Sequence, residues 1–395
     1  MATLFIYNPT CDMAVENGTF SYMPPQQLAK FEADISPIMA FLGQANDFVL
    51  YESERPLSFE QFWEKLKVNL PQFINKEHLQ NIVVNRIFPW GWSQLIGHRY
   101  IKLCQSESLR INASPDTFKN FFSRQTSVNL INELSSHSLP HFIELPTLPS
   151  VVSDIKDIYQ QFNHSSQGIV LKTLWSSSGR GLLFIRNQQQ LENSTKWAEA
   201  QIKKHGSLIL EPIYTKIQDA SLQFNVLTNG SIEFIDINFF DADSSGHFEK
   251  EYFHVPDTIK KHLPIDNSWL KDTADKIILS LQALHIPDFY QGPIGIDAMF
   301  IINDDNAVRF YPLVEANLRC NMGLVNLSIK RLIHPDASGS WQISQFKPGE
   351  ADEFYHRQLQ AHPIEISNGK ITKGFFPLTP FHSNSRFAAW GIADN

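Results

Sequence analysis

The apolar positions of the chain fall into short runs separated by stretches with helical spacing. Leu4 to Tyr7, Phe48 to Tyr51 and Ile82 to Asn85 read as brief strands, each closed by polar or Gly/Pro-rich turns. Between the second and third, Phe59, Phe62, Trp63 and Leu66 recur on one face of a helix. Strand, helix and strand in that order predict a small parallel α/β domain over residues 1–115. Ser114-Pro115-Asp116 then supplies a capping hydroxyl, a proline suited to the first helical position and an acid for the first turn. The helix so started runs through Phe118, Phe121 and Phe122 to the stretch Val128–Leu134. A short strand is expected at Leu139-Pro140, a turn at Pro146–Pro149, and a helix near Ile155–Phe162.

From Gly168 onward the pattern turns to β. Ile169–Lys172 and Leu182–Ile185 flank a Ser/Gly-rich loop, Ser176–Gly181. A helix over Gln188–His205 leads to a strand at Leu208–Glu211. Leu222–Leu227 and Ile232–Ile237 surround Asn229-Gly230, a strong hairpin signal because both residues tolerate positive φ. A helix around Trp269–Leu284 precedes two strands, Ile294–Ile302 and Val308–Asn317. The last fifty residues read as Phe- and Pro-rich strands and turns.

Composition narrows the class. With 395 residues, 43% hydrophobic and 19% charged, the chain can bury two or three cores and is not disordered. A formal charge of -8 disfavours a general nucleic-acid binder, which needs a basic surface to release counterions. No run approaches the ~18 apolar residues of a membrane span, and no signal peptide is evident, so a cytoplasmic protein is expected. Cys11, Cys104 and Cys320 are far apart and without zinc spacing, which suits a reducing compartment.

The most informative segment is Tyr311-Pro-Leu-Val-Glu-Ala-Asn-Leu-Arg319. Read as a strand, it sends Leu313, Glu315, Asn317 and Arg319 to one face and Val314, Ala316 and Leu318 to the other. An acid, an amide and a guanidinium in a row suit a divalent cation and the anion it carries. Asp297, on the preceding strand, could stand beside Glu315 in an antiparallel pair. Lys172 followed by Ser176-Ser-Ser-Gly-Arg-Gly181 suits a polyphosphate, but the spacing matches neither a P-loop nor a dinucleotide fingerprint. A solvated edge strand and a plain hairpin turn are the structural alternatives.

Taken in order, VLKTLWSSSGRGLLFI, LILEPIY, SLQFNVLTNGSIEFID, GIDAMF and YPLVEANLRCNMG resemble the ATP-grasp superfamily, over roughly residues 115–325. The resemblance implies an α+β or α/β protein: a small N-terminal domain before an ATP-grasp lid subdomain (116–211) and a large subdomain with the metal site (212–395). It implies ATP and two Mg²⁺ ions, with Mn²⁺ an alternative. Lys172 would hold the phosphates, and Ser177, Ser178 and Gly179 would close over them. Glu211 and the backbone of Ile213 and Tyr214 would read adenine. Gln223 would meet the ribose, where relatives carry an acid. Asp297, Glu315 and Asn317 would hold the metals, and Arg319 would steady the transferred phosphoryl. Arg124, with Lys119 second, and Lys250 would fill two further basic positions. The implied activity is ATP-dependent carbon–nitrogen ligation of a small carboxylate and a small amine through an acyl phosphate. A kinase of a small hydroxyl compound and a catalytically inactive nucleotide-binding protein are the rivals. Neither a nucleic acid nor a membrane is expected as partner, and the oligomeric state is open, a homodimer included. Asp12, Arg86 and Trp90, read as following the first and third strands, are the candidates for substrate contact.

Overall fold

A computed structural model describes residues 2–53, 55–103, 115–145, 147–176 and 181–394. The chain divides into two compact units, one of Met1–Arg110, Glu249–His254 and Arg319–Asn395, the other of Ile111–Phe248 and Val255–Leu318. No helix among the described residues is long and apolar enough to cross a membrane.

The first unit opens with β1 (Thr3–Ile6), β2 (Phe48–Leu50), β3 (Gln72–Ile74) and β4 (Arg86–Pro89), a parallel sheet in the order β3-β2-β1-β4. Leu4, Val49 and Ile87 are buried, and a cluster of Phe41, Phe59, Phe62 and Trp63 packs edge to face on the helix Leu57–Lys65. The third strand differs from expectation. Ile82–Asn85 is not a strand; pairing with β1 begins only at Arg86, opposite Thr3. Asn85 instead bonds the chain start, its side chain accepting from Ala2 N and its N–H donating to Ala2 O.

In the second unit β5 (Ser150–Val152), β6 (Ile169–Lys172), β7 (Leu182–Ile185) and β8 (Leu208–Pro212) form an antiparallel sheet, β5-β8-β6-β7. Its apolar face carries Ile169, Leu171, Leu208 and Leu210 against Ile158, Leu191 and Ala198, which come from the helices Ile155–His164 and Gln188–His205. Then come β9 (Thr215–Val226) and β10 (Ile232–Ala242), joined at Asn229-Gly230 with Gly230 at φ 80. β11 (Phe248–Tyr252) leads the chain to the first unit, and β12 (Gly292–Ile302) and β13 (Val308–Asn317) complete the second. These give the antiparallel order β13-β12-β9-β10. One face is apolar: Ala220, Leu222, Phe224, Ile294, Ile296, Ala298, Phe300 and Phe310 are all but fully buried. Trp269, on the helix Ser268–Ala283, packs its ring on Phe300 and Phe310.

The single helix expected over residues 114–134 is two, Pro115–Phe121 and Arg124–Ser135. Ser123, extended at ψ 156, breaks it, and the Thr126 hydroxyl donates to Phe121 O. No strand forms at Leu139-Pro140. The C-terminal residues of the first unit hold β14 (Ser338–Gln345), the helix Glu350–Ala361, β15 (Glu365–Ser367), β16 (Lys370–Pro377) and β17 (Phe387–Asp394). With β11 they make an antiparallel run, β11-β14-β17-β16-β15. Phe346, Phe354, Phe375, Phe381 and Trp390 pack between the helix and these strands. The phenylalanine-rich ending is therefore a built core with a helix, not strands and turns alone.

Candidate functional site

The face of the second unit's large sheet opposite its apolar side is polar, and strand register arranges it in rows. Asp297 on β12 pairs with Glu315 on β13 and with Ser221 on β9, and Ser221 pairs with Asn238 on β10. Cross-strand partners share a face, so Glu315, Asp297, Ser221 and Asn238 form one row. Two residues along, Asn317, Gly295, Gln223 and Asp236 form the next. Asn317 Nδ2 donates to Asp297 Oδ2 at 3.0 Å, a diagonal contact that joins the rows. Two carboxylates and a carboxamide thus stand together at one edge of the sheet. Arg319 is not in this stripe: β13 ends at Asn317, and Arg319 lies in the first unit.

Two cations approach this edge. On β6, side chains alternate, so Val170 and Lys172 point away from the apolar cluster. Val170 pairs with Glu211 on β8, which makes Glu211 the diagonal neighbour of Lys172. Their charged ends meet at 2.7 Å, both almost fully buried, and Lys172 Nζ also reaches Val314 O on β13 at 3.4 Å. Arg124, the first residue of its helix, places Nε 3.1 Å from Glu315 Oε1, an ion pair in which the N–H is not aimed at the oxygen. Its Nη1 donates to Thr173 O and Ser176 Oγ at 2.7 and 2.8 Å, and Nη2 to Ser176 O. Ser127, one turn on, accepts from Ala316 N and so fixes the same helix to β13.

The aromatic end of the face lies in the other direction along the strands, where Tyr311, Met299, Asp219 and Phe240 are register partners. Tyr214 packs its ring on Tyr311 at 5.5 Å and donates its hydroxyl to Thr147 O. Burial, outweighing that hydrogen bond, pushes the Tyr214 phenol up to about 12. Burial also raises Tyr311, with the charge of Glu211 adding to it. Ile213 donates its N–H to Gly168 O, so this donor belongs to the sheet. Gln223 lies beyond the carboxylates, two rows from the Tyr311 row. It is fully buried, with Nε2 on Ser221 Oγ at 2.7 Å and Oε1 without a hydrogen-bond partner among the described residues.

Ser177, Ser178 and Gly179 lie outside the described residues, so of the serine/glycine loop only its base, up to Ser176 and from Gly181, enters this site. In the first unit, Asp12 sits in the first turn of the helix Cys11–Asn17 and pairs with Arg319 Nε at 3.1 Å. Trp90, after β4, is buried against Tyr7 and accepts from Cys320 N. Asn8 clamps the two loops by donating to Gly91 O. Gly91 packs against the Cys11 side chain where a Cβ would not fit. Arg86 does not join them. It begins β4, and in a parallel sheet that puts it at the amino edge, roughly 13 Å along the strand from Trp90. Lys250 is also in the first unit, its ammonium 5.0 Å from the Tyr252 ring.

Sequence reading did not single out Ser221, Asn238, Asp236, Thr173 or Tyr311 as site residues. The strands expected at Leu222–Leu227 and Ile232–Ile237 stop short of Ser221 and Asn238, and Asp236 reaches the polar face only through a register irregularity after Phe234 in the pairing of β10 with β9. The donor set fits a hard divalent ion: carboxylate and amide oxygens, with no thiolate or imidazole. Among the described residues there is no group of three or more His, Cys, Asp or Glu that could hold a metal by itself. A set of two carboxylates and one amide leaves coordination positions for ligand oxygens and water, which is how Mg²⁺ is usually held with phosphates.

No family model matches the chain, and no curated protein does. Solved structures do match. Biotin carboxylase from Campylobacter jejuni, in a β,γ-ATP complex, aligns at a TM-score of 0.54 with 10% identity, over 100% of this chain and 88% of its own. N5-carboxyaminoimidazole synthetase from Staphylococcus aureus, complexed with ADP, aligns at 0.50 with 14% identity, over 100% and 93%. An N5-carboxyaminoimidazole ribonucleotide synthetase in its ADP complex aligns at 0.50 with 10% identity, over 99% and 92%. At such identities the likeness speaks for the fold. Together with the strand order and the segments from Lys172 to Asn317, it shows that this chain has the fold of the ATP-grasp superfamily.

Proposed function

We propose that the protein is an ATP-dependent ligase that joins a small carboxylate to a small amine through an acyl phosphate, releasing ADP and phosphate. The observation that carries this reading is the meeting of Asp297, Glu315 and Asn317 with Arg124 and Lys172 at one edge of a sheet. The structural neighbours that hold ADP or an ATP complex are synthetases and carboxylases, which supports it.

A carboxylate resists attack by an amine because its carbon is shielded by delocalised negative charge and oxide is a poor leaving group. Transfer of the γ-phosphoryl forms a bond from carboxylate oxygen to phosphorus and breaks the bond to the β-phosphate oxygen, releasing ADP. The amine nitrogen then attacks the acyl carbon, phosphate departs, and the nitrogen loses a proton to solvent. The protein has to gather negative groups and align them, which is work of position and electrostatics. Lys172 and Arg124 neutralise phosphate charge; Ser177, Ser178 and Gly179, expected beside it, lie outside the described residues. Glu211 acts by holding the Lys172 ammonium in place. Tyr214 and Tyr311 border the base. Asp297, Glu315 and Asn317 would hold Mg²⁺, one ion or two, which when bound supplies compact positive charge to the phosphates. On this reading residues 116–211 serve as the lid, and 212–248 with 255–318 as the metal-bearing part. Arg319, tied to Asp12, enters no step.

The test is a screen of amino acids, dipeptides and polyamines for phosphate release that requires acid and amine together, with mass spectrometry of the product. An amide product supports the reading. A stable phosphoester, or ATP turnover in Glu315→Ala equal to the parent, overturns it.

A further inference from the structure

The contacts of Arg124 span two features that the proposed function treats separately. Its guanidinium stands beside Glu315, and the same group holds both ends of a short piece of chain, Thr173 O and Ser176 O and Oγ, through three donors. Its own backbone N–H adds a bond to Leu174 O at 2.9 Å. This piece is the base of the serine/glycine loop, and it is tightly closed. Thr173 N donates to Gly181 O, and Gly181, at φ 73, packs so close to the Thr173 and Ser176 hydroxyls that no side chain would fit. Arg124 itself is only 6% exposed, so its charge has little water to turn to. A buried guanidinium shared between a carboxylate and a loop base serves both from one geometry, so a shift at either side is felt at the other.

We propose that Arg124, besides neutralising phosphate charge, is a positioning residue that couples cation binding at the Asp297–Glu315–Asn317 cluster to residues 173–176. Glu315 holds the guanidinium, and the guanidinium holds residues 173–176. A divalent cation on Glu315 takes the same carboxylate and repels the guanidinium, so Arg124 shifts and residues 173–176 loosen. By linkage, whatever orders the loop base around Arg124 weakens cation binding by the same factor. Lysine would keep the charge but not the fork that reaches two carbonyls and a hydroxyl. The inference rests on the reading of the cluster as a cation site.

The experiment uses the full chain, Mg²⁺ alone as probe, and two readouts: Mg²⁺ affinity by calorimetry and amide exchange of the peptide spanning residues 171–176. In the parent, saturating Mg²⁺ should speed exchange there by about fivefold, the low end of ordinary coupling energies. In Arg124→Met, Mg²⁺ should bind more tightly, and exchange should be fast and the same with or without the ion. In Arg124→Lys, affinity should stay near the parent value while exchange is again fast and unresponsive, which separates the fork from the charge. Circular dichroism and melting of each variant confirm that it is folded; Ser176→Ala, which removes one partner only, should lie between parent and lysine variant. If Mg²⁺ binds the parent but leaves exchange unchanged, or if Arg124→Lys responds like the parent, the coupling is wrong. If Mg²⁺ fails to bind the parent, or binds Glu315→Gln equally well, the cation reading itself fails.

Discussion

Removing Glu211 should do two things that a base-reading carboxylate would not. Glu211 and Lys172 are the most enclosed ion pair of the site, with side chains 9% and 6% exposed and charged ends 2.7 Å apart. At an effective dielectric of ~20, the attraction over that distance is about 6 kcal/mol before the cost of desolvating both ions. Breaking such a pair from one side strands the other charge and costs about 3–5 kcal/mol. Glu211→Ala and Lys172→Met should therefore each lose about 3–4 kcal/mol of stability, whereas Glu211→Leu combined with Lys172→Met should return to within about 1 kcal/mol of the parent. Urea unfolding, with exchange of β6 and β8 peptides to read the second unit, measures this. The ligand arm uses Glu211→Gln, which keeps the shape and loses the charge. If Glu211 serves by holding Lys172, the variant binds ATP and inorganic tripolyphosphate more weakly by the same factor. A loss confined to ATP would mean that Glu211 reads the base, and single-variant losses below about 1 kcal/mol would mean that the pair holds nothing.

Three further outcomes follow from the same geometry. Asp297→Asn and Glu315→Gln should each lower turnover on the substrates found by the phosphate-release screen by about 100-fold or more and raise the Mg²⁺ needed for half-saturation; retention of both values would refute the cluster's role. Glu32 is raised from its usual range by burial, against the hydrogen bonds it accepts from Thr10. Its contribution is present below the ordinary glutamate range and lost as pH rises through the folded value, so Glu32→Gln should stabilise the chain at pH 7 and make no difference near pH 3, as read by melting against pH. Burial raises the Cys11 and Cys320 thiols above their ordinary range, so neither should be alkylated by iodoacetamide at pH 8 until urea unfolds the chain, which peptide mapping will show.

Much of the second unit was written locally. Asn229-Gly230 marked the hairpin, although in the turn only Gly230 takes positive φ. The alternation in Val308–Asn317 put Glu315 and Asn317 on one face, since side-chain direction in a strand has period two. The run of serines and glycines after Lys172 marked a loop whatever its role. Other features were legible in kind but not in place. Arg86 was visible as a charge beside a strand, but whether the strand ended or began there was decided by pairing with β1, 83 residues away. Arg319 continued the alternation on paper, but the strand stops two residues before it, and its partner is Asp12 in the first unit. The division of the chain into units joins residues 1–110 with 319–395, which no local composition announces.

What sequence determined, then, was the kind of element at most positions and the chemistry of its side chains, because propensity, turn geometry and periodicity act over a few residues. What only the tertiary structure decided was neighbourhood. Asp297 meets Glu315 because β12 and β13 pair in one register, and Lys172 meets Glu211 through the diagonal of β6 and β8. Arg124 meets both Glu315 and the loop base because its helix is fixed to β13 through Ser127. A slip of one residue in any of these pairings would turn the same side chains to the apolar face, and burial of that face is what forbids the slip.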